Sequence, residues 1–483
     1  MDPKFLLWEV LPEKKYSIID HQHLNKGFHT ISFERDNNYR LICKLEGRIE
    51  DKSPSPTRKV KRGQSIKMDG IIKAQDPTAS TKIDIERIYT KKENTQGSGL
   101  YSADAEASSI RVYHEVEDEF KFIIYWFLNG QDSAQFGYTR VRTIELRSEA
   151  TIEISDLTRE KVRIHETKSS TINSIQLSLN SKKFLFGFVD EKETGKYRGS
   201  YLRFDKNFFP TQAELEAIQF ALSFILGRAL IPIGSTKYNY SLLPVERVYK
   251  STHRSDIEQV IRSVSIPPIR TDMLTVTKSK DNFEEKMNYL LNKYYEYEVT
   301  FQLNQIIWYM SYGRILPTDM QLQPLSTALD LFQKAWFRSD KSDSKGKYLM
   351  DNDYEETISK YIPSIKNDLR ERETAAPILN KIKKCNEMSL NEKYETLFKE
   401  IKLKTGEVER ISIRERNLAI HGSLKPKDYD KLYIRTLAFQ TLLHRLILKL
   451  LEYNGKYNDY STSGFPERDI NEPLQGPEGG GRI

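Results

Sequence analysis

An arginine and a histidine stand five positions apart in the stretch RNLAIHG, Arg416 to Gly422, of a chain with only eight histidines. A guanidinium gives forked donors to phosphate oxygens and stabilises added negative charge, while an imidazole exchanges protons near neutral pH. Aimed at one phosphodiester, the two suit RNA cleavage, because RNA carries its own nucleophile, the 2′-hydroxyl, and needs no metal-bound water. Asn417 is a supporting residue that holds the arginine or bonds backbone. Arg414, Lys425 and Lys427 are candidate phosphate contacts. Without such a site, the same residues are a surface arginine beside a helix-capping histidine.

The position of the pair depends on a helix. Gly422 directly after His421, with Pro426 beyond it, predicts a helix from about Glu407 to His421 that ends at the histidine, the glycine taking the left-handed cap. The partial negative charge of a helix C-terminus favours the protonated imidazole. At about 100° per residue, Arg416 and His421 lie about 140° apart and do not converge on one regular helix. Ile411 and Leu418 make one apolar stripe, and Ile413 and Ile420 make another on the opposite side, so burial on both sides is expected. A second stripe that meets its own copy across a two-fold axis brings the polar pairs of both chains to one seam. A homo-oligomer, either a dimer or a multiple of dimers, is therefore the expected state.

Other chemistries are absent or weakly supported. No GxxxxGK[ST], GxGxxG, HExxH or GxSxG occurs. His21 and His23 share a face of an expected strand and His29 follows, but no further ligands cluster there and a polar loop is the better reading. His444 sits in an apolar helical run and reads as a packing histidine. Neither a metal nor a cofactor is expected. Two cysteines, Cys43 and Cys385, exclude a disulfide framework and fit a reducing compartment. The apolar run Ala217 to Ile233 contains Arg228 and Pro232 and reads as a buried helix, with no membrane span. The first residues lack signal-peptide features, so a cytoplasmic location is expected. A net charge of +7 over 483 residues permits a polyanionic partner without demanding one.

The elements around the motif suggest an α+β chain. Up to about residue 205, runs such as FHTISFER, YRLICKLEG and KFLFGFVD alternate apolar and polar residues and are rich in Ile, Val, Phe, Tyr and Thr. They predict an antiparallel β-sandwich or barrel-like domain, with polar loops at 50–64 and 91–109. At Thr211 the pattern changes. With Glu214 three residues on, Thr211 has the capping-box spacing that opens a helix. Helices are expected at 282–313, 321–337, 353–369, 377–401 in two pieces, 407–421 and 427–453. The expected division is a β-rich regulatory or sensor domain over 1–208, a helical connector packed on it over 209–290, an all-α bundle over 291–455, and a disordered tail over 456–483.

At RNLAIHG the chain resembles the HEPN superfamily, whose ribonucleases carry an arginine, often a following polar residue, three more residues and a histidine near a helix end. Arg416, Asn417 and His421 match position by position. The segments LSTALDLFQKAWF and YIRTLAFQTLLHRLILKLL are similar to helices of a HEPN bundle. A β-rich half before such a bundle, with the opening GFHTISFERDNNYRLICKLEGRI, resembles the Apea-like group of bacterial anti-phage proteins. The resemblance implies a metal-independent endoribonuclease, active as a dimer through the HEPN domain. It further implies that the enzyme is inactive until a phage-derived trigger acts at the N-terminal domain, after which it halts growth of the infected cell. Two rival readings are a non-catalytic dimeric interaction or ligand-sensing protein, and the HEPN toxin of a toxin–antitoxin pair.

Overall fold

The computed structural model describes residues 11, 14–21, 28–48, 70–78, 81–95, 100–115, 119–130, 141–146, 149–154, 158–163, 174–189, 199–241, 243–252, 257–270, 280–420 and 429–477, with the backbone alone at 21, 90–95, 141–146, 149–154, 158–163, 262, 280–283, 383 and 415–420. These residues form two compact units, one of 1–215, 229–264 and 271–289, the other of 216–228, 265–270 and 290–483.

The first unit is built on an antiparallel six-stranded barrel. Its strands are β1 (Tyr16–His21), β2 (Phe28–Arg35), β3 (Leu41–Arg48), β4 (Ile71–Gln75), β5 (Lys82–Thr95) and β6 (Leu100–Tyr113). They join in the order β6-β3-β2-β1-β4-β5, and a β5–β6 pairing closes the ring. Alternation drives the closure, since every second residue of β3 (Leu41, Cys43 and Leu45) points into a core shared with Ile31, Ile83, Ile85 and Ile110. Burial pushes the Cys43 thiol pKa far up, so it behaves as a small apolar side chain. β6 serves two neighbours along one side: Leu100–Ala107 pairs with β3, and Ser109–Tyr113 pairs with β15 (Pro244–Lys250). Through β15 the sheet continues by β14 (Ile231–Asn239), β7 (Phe120–Leu128), β13 (Gly199–Asp205) and β12 (Lys182–Val189) to β11 (Ser174–Leu179). Strands β8 (Val141–Leu146), β9 (Glu149–Ile154) and β10 (Thr158–Arg163) form a separate antiparallel sheet.

Three expectations are corrected here. The expected loop at 91–109 is largely strand, the end of β5 and most of β6, because its polar and small residues pair backbone to backbone between two covered neighbours. The region 209–290 is no helical connector. Helix α1 (Gln212–Ile225) does begin with the Thr211–Glu214 capping box, in which Glu214 N–H donates to Thr211 Oγ1 at 3.2 Å and Thr211 N–H donates to Glu214 Oε2 at 2.7 Å. Beyond it, however, β14 and β15 lie in the interior of the large sheet, and among the described residues the short α2 (Ile257–Arg262) is the one further helix before residue 280. The tail is also not disordered over its described part. Residues 456–477 carry a hairpin, β16 (Lys456–Asn458) and β17 (Glu467–Asp469), and bury Tyr457, Asp459, Ile470 and Leu474.

The second unit is helical. The expected helix 282–313 is two, α3 (Lys280–Phe301) and α4 (Leu303–Gly313), separated by Gln302 in the left-handed conformation at φ 53°. Helix α5 (Leu322–Arg338) buries Leu325, Leu329, Phe332 and Trp336 and packs against α4, α9 (Leu390–Glu400), α10 (Glu407–Ile420) and α11 (Tyr429–Leu450). Between them α6 (Asp351–Thr357), α7 (Ile362–Asp368) and α8 (Ala375–Lys383) bury no described residue.

A buried ion pair fixes the start of α10. Gly406 is its N-cap and Glu409 its third residue, whose carboxylate accepts the Gly406 N–H and the Leu474 N–H, each at 2.9 Å. Arg445 of α11 donates Nη1 to the same carboxylate and Nη2 to the carbonyls of Lys404 (2.9 Å) and Ile470 (3.1 Å). Both side chains are 0% exposed. Removing one partner strands the other charge in the interior, so Arg445→Met should lower the unfolding free energy by about 3–5 kcal/mol. Lys293→Met, which breaks the solvated pair with Glu452, should cost less than about 1 kcal/mol. Urea titration of the two variants checks the contrast.

Candidate functional site

Helix α10 carries the motif. It is described from Glu407 to Ile420 and runs through Arg416 and Asn417. Arg414 is exposed. The side chains of Arg416 and Asn417, and the whole of His421, Lys425 and Lys427, lie outside the described residues, so their mutual distances are not part of the geometry. The flanking frame is described. α10 packs against α5 and α11, and α11 begins at Tyr429, eight residues after His421.

The faces of α10 differ from the expected double stripe. The covered face is Val408, Glu409 and Ser412, while Ile411 and Ile413 are each only partly covered. Two of its three covered residues are polar. Glu409 is held by Arg445, and Ser412 Oγ donates to the Val408 carbonyl at 2.9 Å. Leu418 and Ile420, the far ends of both stripes, have no described side chain. A hydrophobic pattern therefore points past the face that is anchored. The signal that finds it is a glutamate three residues after a glycine at a helix start, together with an arginine inside the apolar run of α11.

A second polar group is built from distant parts of the chain. His444 on α11 is 3% exposed, with the edge of its ring environment formed by Phe224 at 5.9 Å and Tyr460 at 6.3 Å between ring centroids. Gln440, one turn earlier, has Nε2 3.1 Å from His444 Nε2, and Gln440 Oε1 and His444 Nδ1 have no partner. Burial, and next the Arg314 charge, push His444 down to about 3. Arg314, just past the end of α4, donates Nη1 to the Gly227 carbonyl at 2.7 Å, while its enclosed Nη2 has no partner. Gly227 is at φ +60°, and a Cβ there would lie 2.1 Å from the Ile266 carbonyl carbon, so only glycine lets the end of α1 present that carbonyl.

Asp330 on α5 accepts a hydrogen bond from Tyr394 of α9. His29 lies exposed on β2, His21 ends β1 with its side chain outside the described residues, and His23 is outside them altogether. Among the described residues no group of three or more His, Cys, Asp and Glu side chains is placed to hold a metal ion, and no helix is long and apolar enough to cross a membrane. No family model, no curated protein and no solved structure matches the chain.

His444 generates a pH dependence. Its folded value, about 3, lies below the roughly 6.5 of a free histidine, so the folded state binds fewer protons. The associated stability is complete above about pH 6.5 and is lost as pH falls below it, by up to about 1.4 kcal/mol per pH unit. His114 in the β-rich unit, lowered by burial and then by Arg247, adds its own slope in the same direction. Urea unfolding between pH 7 and 5, above the range where carboxylates titrate, should show a shallower slope for His444→Asn than for the parent chain, with the His114 part retained.

Proposed function

We propose that this chain is a metal-independent endoribonuclease of the HEPN type that cuts RNA in anti-phage defence, its β-rich unit sensing a phage-derived trigger. The observation that carries the reading is the match of Arg416, Asn417 and His421 to the ribonuclease motif. It is supported by α10 being helical through Arg416 and Asn417, as the motif requires, and by Gly422, whose place in the sequence suits a helix end at His421, where a protonated imidazole is favoured.

The chemistry follows from the groups. A basic group takes the 2′-hydroxyl proton, and the 2′-oxygen attacks the adjacent phosphorus. The P–O5′ bond breaks, and a proton passes to the leaving 5′-oxygen. The products are a 2′,3′-cyclic phosphate and a 5′-hydroxyl, with nothing oxidised or reduced. His421 serves the proton transfers, Arg416 balances the extra charge on phosphorus, and Asn417 positions the arginine. Arg414, Lys425 and Lys427 hold flanking phosphates. Because regular helical spacing would put Arg416 and His421 about 140° apart, the composite site takes one group from each of two copies across a dimer seam formed by Ile413 and Ile420. No cofactor enters the reaction, because the substrate supplies the nucleophile.

Purified His421→Ala should cleave RNA about a hundredfold to ten-thousandfold more slowly than the parent chain, and Arg416→Ala about a hundredfold to a thousandfold more slowly, with unfolding midpoints unchanged. Growth arrest on overexpression should vanish with His421→Ala. Ile420→Asp, which places a carboxylate in the seam, should give monomers in light scattering and lose cleavage with them.

A further inference from the structure

Between α5 and α9 the chain makes an excursion over residues 349–385, which carries α6, α7 and α8. Its neck is tied. The buried Asn386 accepts the Leu349 N–H on Oδ1 at 2.8 Å and donates Nδ2 to the Leu349 carbonyl at 2.9 Å. Backbone bonds from Tyr348 N–H to the Asn386 carbonyl (3.0 Å) and from Met388 N–H to the Gly346 carbonyl (3.1 Å) close it. Beyond the neck, apolar residues recur at helical spacing around α7, at Ile358, Ile362, Ile365 and Leu369, and again on α8, at Leu379 and Ile382, yet each is only partly covered. Beside them Met350, Tyr361 and Ile378 are 52%, 57% and 36% exposed. A stretch shorter than about 40 residues rarely closes a core of its own, and an apolar face left open in this way is completed by a partner.

The charges that frame the face say which partner. Helix α6 carries Asp351, Asp353, Glu355 and Glu356 and no basic residue, whereas Lys381 and Lys384 lie at the end of α8. The two ends are neighbours, since the Tyr354 hydroxyl of α6 donates to the Ile382 carbonyl of α8 at 2.9 Å. The described ion pairs here are Lys347–Asp351 at the neck and Arg370–Glu371, adjacent in sequence. Among the described residues, Asp353, Glu355, Glu356, Lys381 and Lys384 take part in none. A two-fold contact presents one patch on both copies, so that residue i meets j and j meets i. An acidic strip beside a basic strip, both flanking an apolar face, is therefore complementary to itself. A nucleic-acid strand fits less well, because its phosphates would meet the carboxylates of α6.

We infer that the 349–385 excursion is a contact surface for a second copy of this chain, with α6 of each copy against the end of α8 of the other. It shares no residue with the seam at Ile413 and Ile420, so it joins seam dimers into larger assemblies. A contact made by three short helices belongs to the small, weak class of interfaces, and taken alone it leaves Ile420→Asp chains monomeric at low micromolar concentration. The surface stands whether or not the chain cuts RNA.

The test is sedimentation velocity of the full chain from about 1 to about 100 µM, a range chosen for weak association. Two charge-reversed chains are compared with the parent: Asp353→Lys with Glu356→Lys, and Lys381→Glu with Lys384→Glu. All four side chains are exposed, so the fold is kept. Each reversed chain should associate beyond the seam dimer at least about tenfold more weakly, because like charges then face each other. Mixing the two reversed chains, or placing all four changes in one chain, should restore the larger assembly, since opposite signs meet again. That rescue separates pairing of copies from general damage. Larger assemblies that persist unchanged in both reversed chains overturn the surface and leave the seam and the ribonuclease reading standing. Weakening without rescue assigns the face to a different partner and overturns the pairing, as does a parent chain that stops at the seam dimer throughout the range. A parent chain that is monomeric at every concentration overturns this surface and the seam together.

Discussion

Glu409 and Arg445 face each other with no exposure to water, and the helical unit is organised around that pair. Two charges taken into the interior cost several kcal/mol each in lost hydration, and aimed partners offset most of that cost, although the buried Arg445 Nε has none among the described residues. Here the carboxylate has two backbone N–H groups besides the guanidinium, the guanidinium has two carbonyls, and the Tyr457 ring lies 5.0 Å from its carbon. The contributors come from residues 404–409, from α11, and from the segment 457–474. None of these can slide without uncovering a charge, so the pair selects one arrangement more than it adds stability. It also sets where α10, the helix that carries Arg416, begins.

The pattern of residues that builds regular, two-faced elements was legible in the sequence. Alternation in FHTISFER and YRLICKLEG corresponds to β2 and β3, and the choice left open between sandwich and barrel resolves to a barrel. The capping box at Thr211 and Glu214 starts α1, and α10 is helical over the whole described part of its expected range. What was not legible depends on pairing between distant segments. β14 is hidden because its first residues, Ile231 to Ile233, continue the apolar run of α1 without a break in composition. Most of β6 has too many small and polar residues to read as a strand, yet β3 and β5 flank it on both sides. The C-terminal segment is polar, and polarity was read as disorder. Asp459 instead accepts from Ser461 N–H, Thr462 Oγ1 and Arg468 Nε, which gives the segment a folded centre that no apolar pattern announces.

The candidate site divides along the same line. Arg416, Asn417 and His421 are recognised by type and spacing because they lie in one short stretch of the chain. Arg314, Arg228, Gln440 and His444 are not, because they come from the ends of α1 and α4 and from the middle of α11, and only the fold assembles them. In the sequence Arg228 counted against a membrane span and His444 as a packing residue. Packing does describe His444, which is enclosed and neutral. Its position beside Arg314, whose charge also holds it neutral, ties the end of α4 to α11.

The central claim, strand cleavage by the RNA's own 2′-hydroxyl, is tested most directly by one substrate change. A short RNA carrying a single 2′-deoxyribose on the 5′ side of a mapped cut is incubated with the purified chain in excess EDTA, next to the all-ribose strand. The account requires that the all-ribose strand is cut with a 2′,3′-cyclic phosphate end and that the substituted strand is bound but left intact at that position. Cutting at the deoxy position, or cutting of either strand only when Mg²⁺ or Mn²⁺ is restored, would show that water or a metal-bound hydroxide is the nucleophile and would contradict the account.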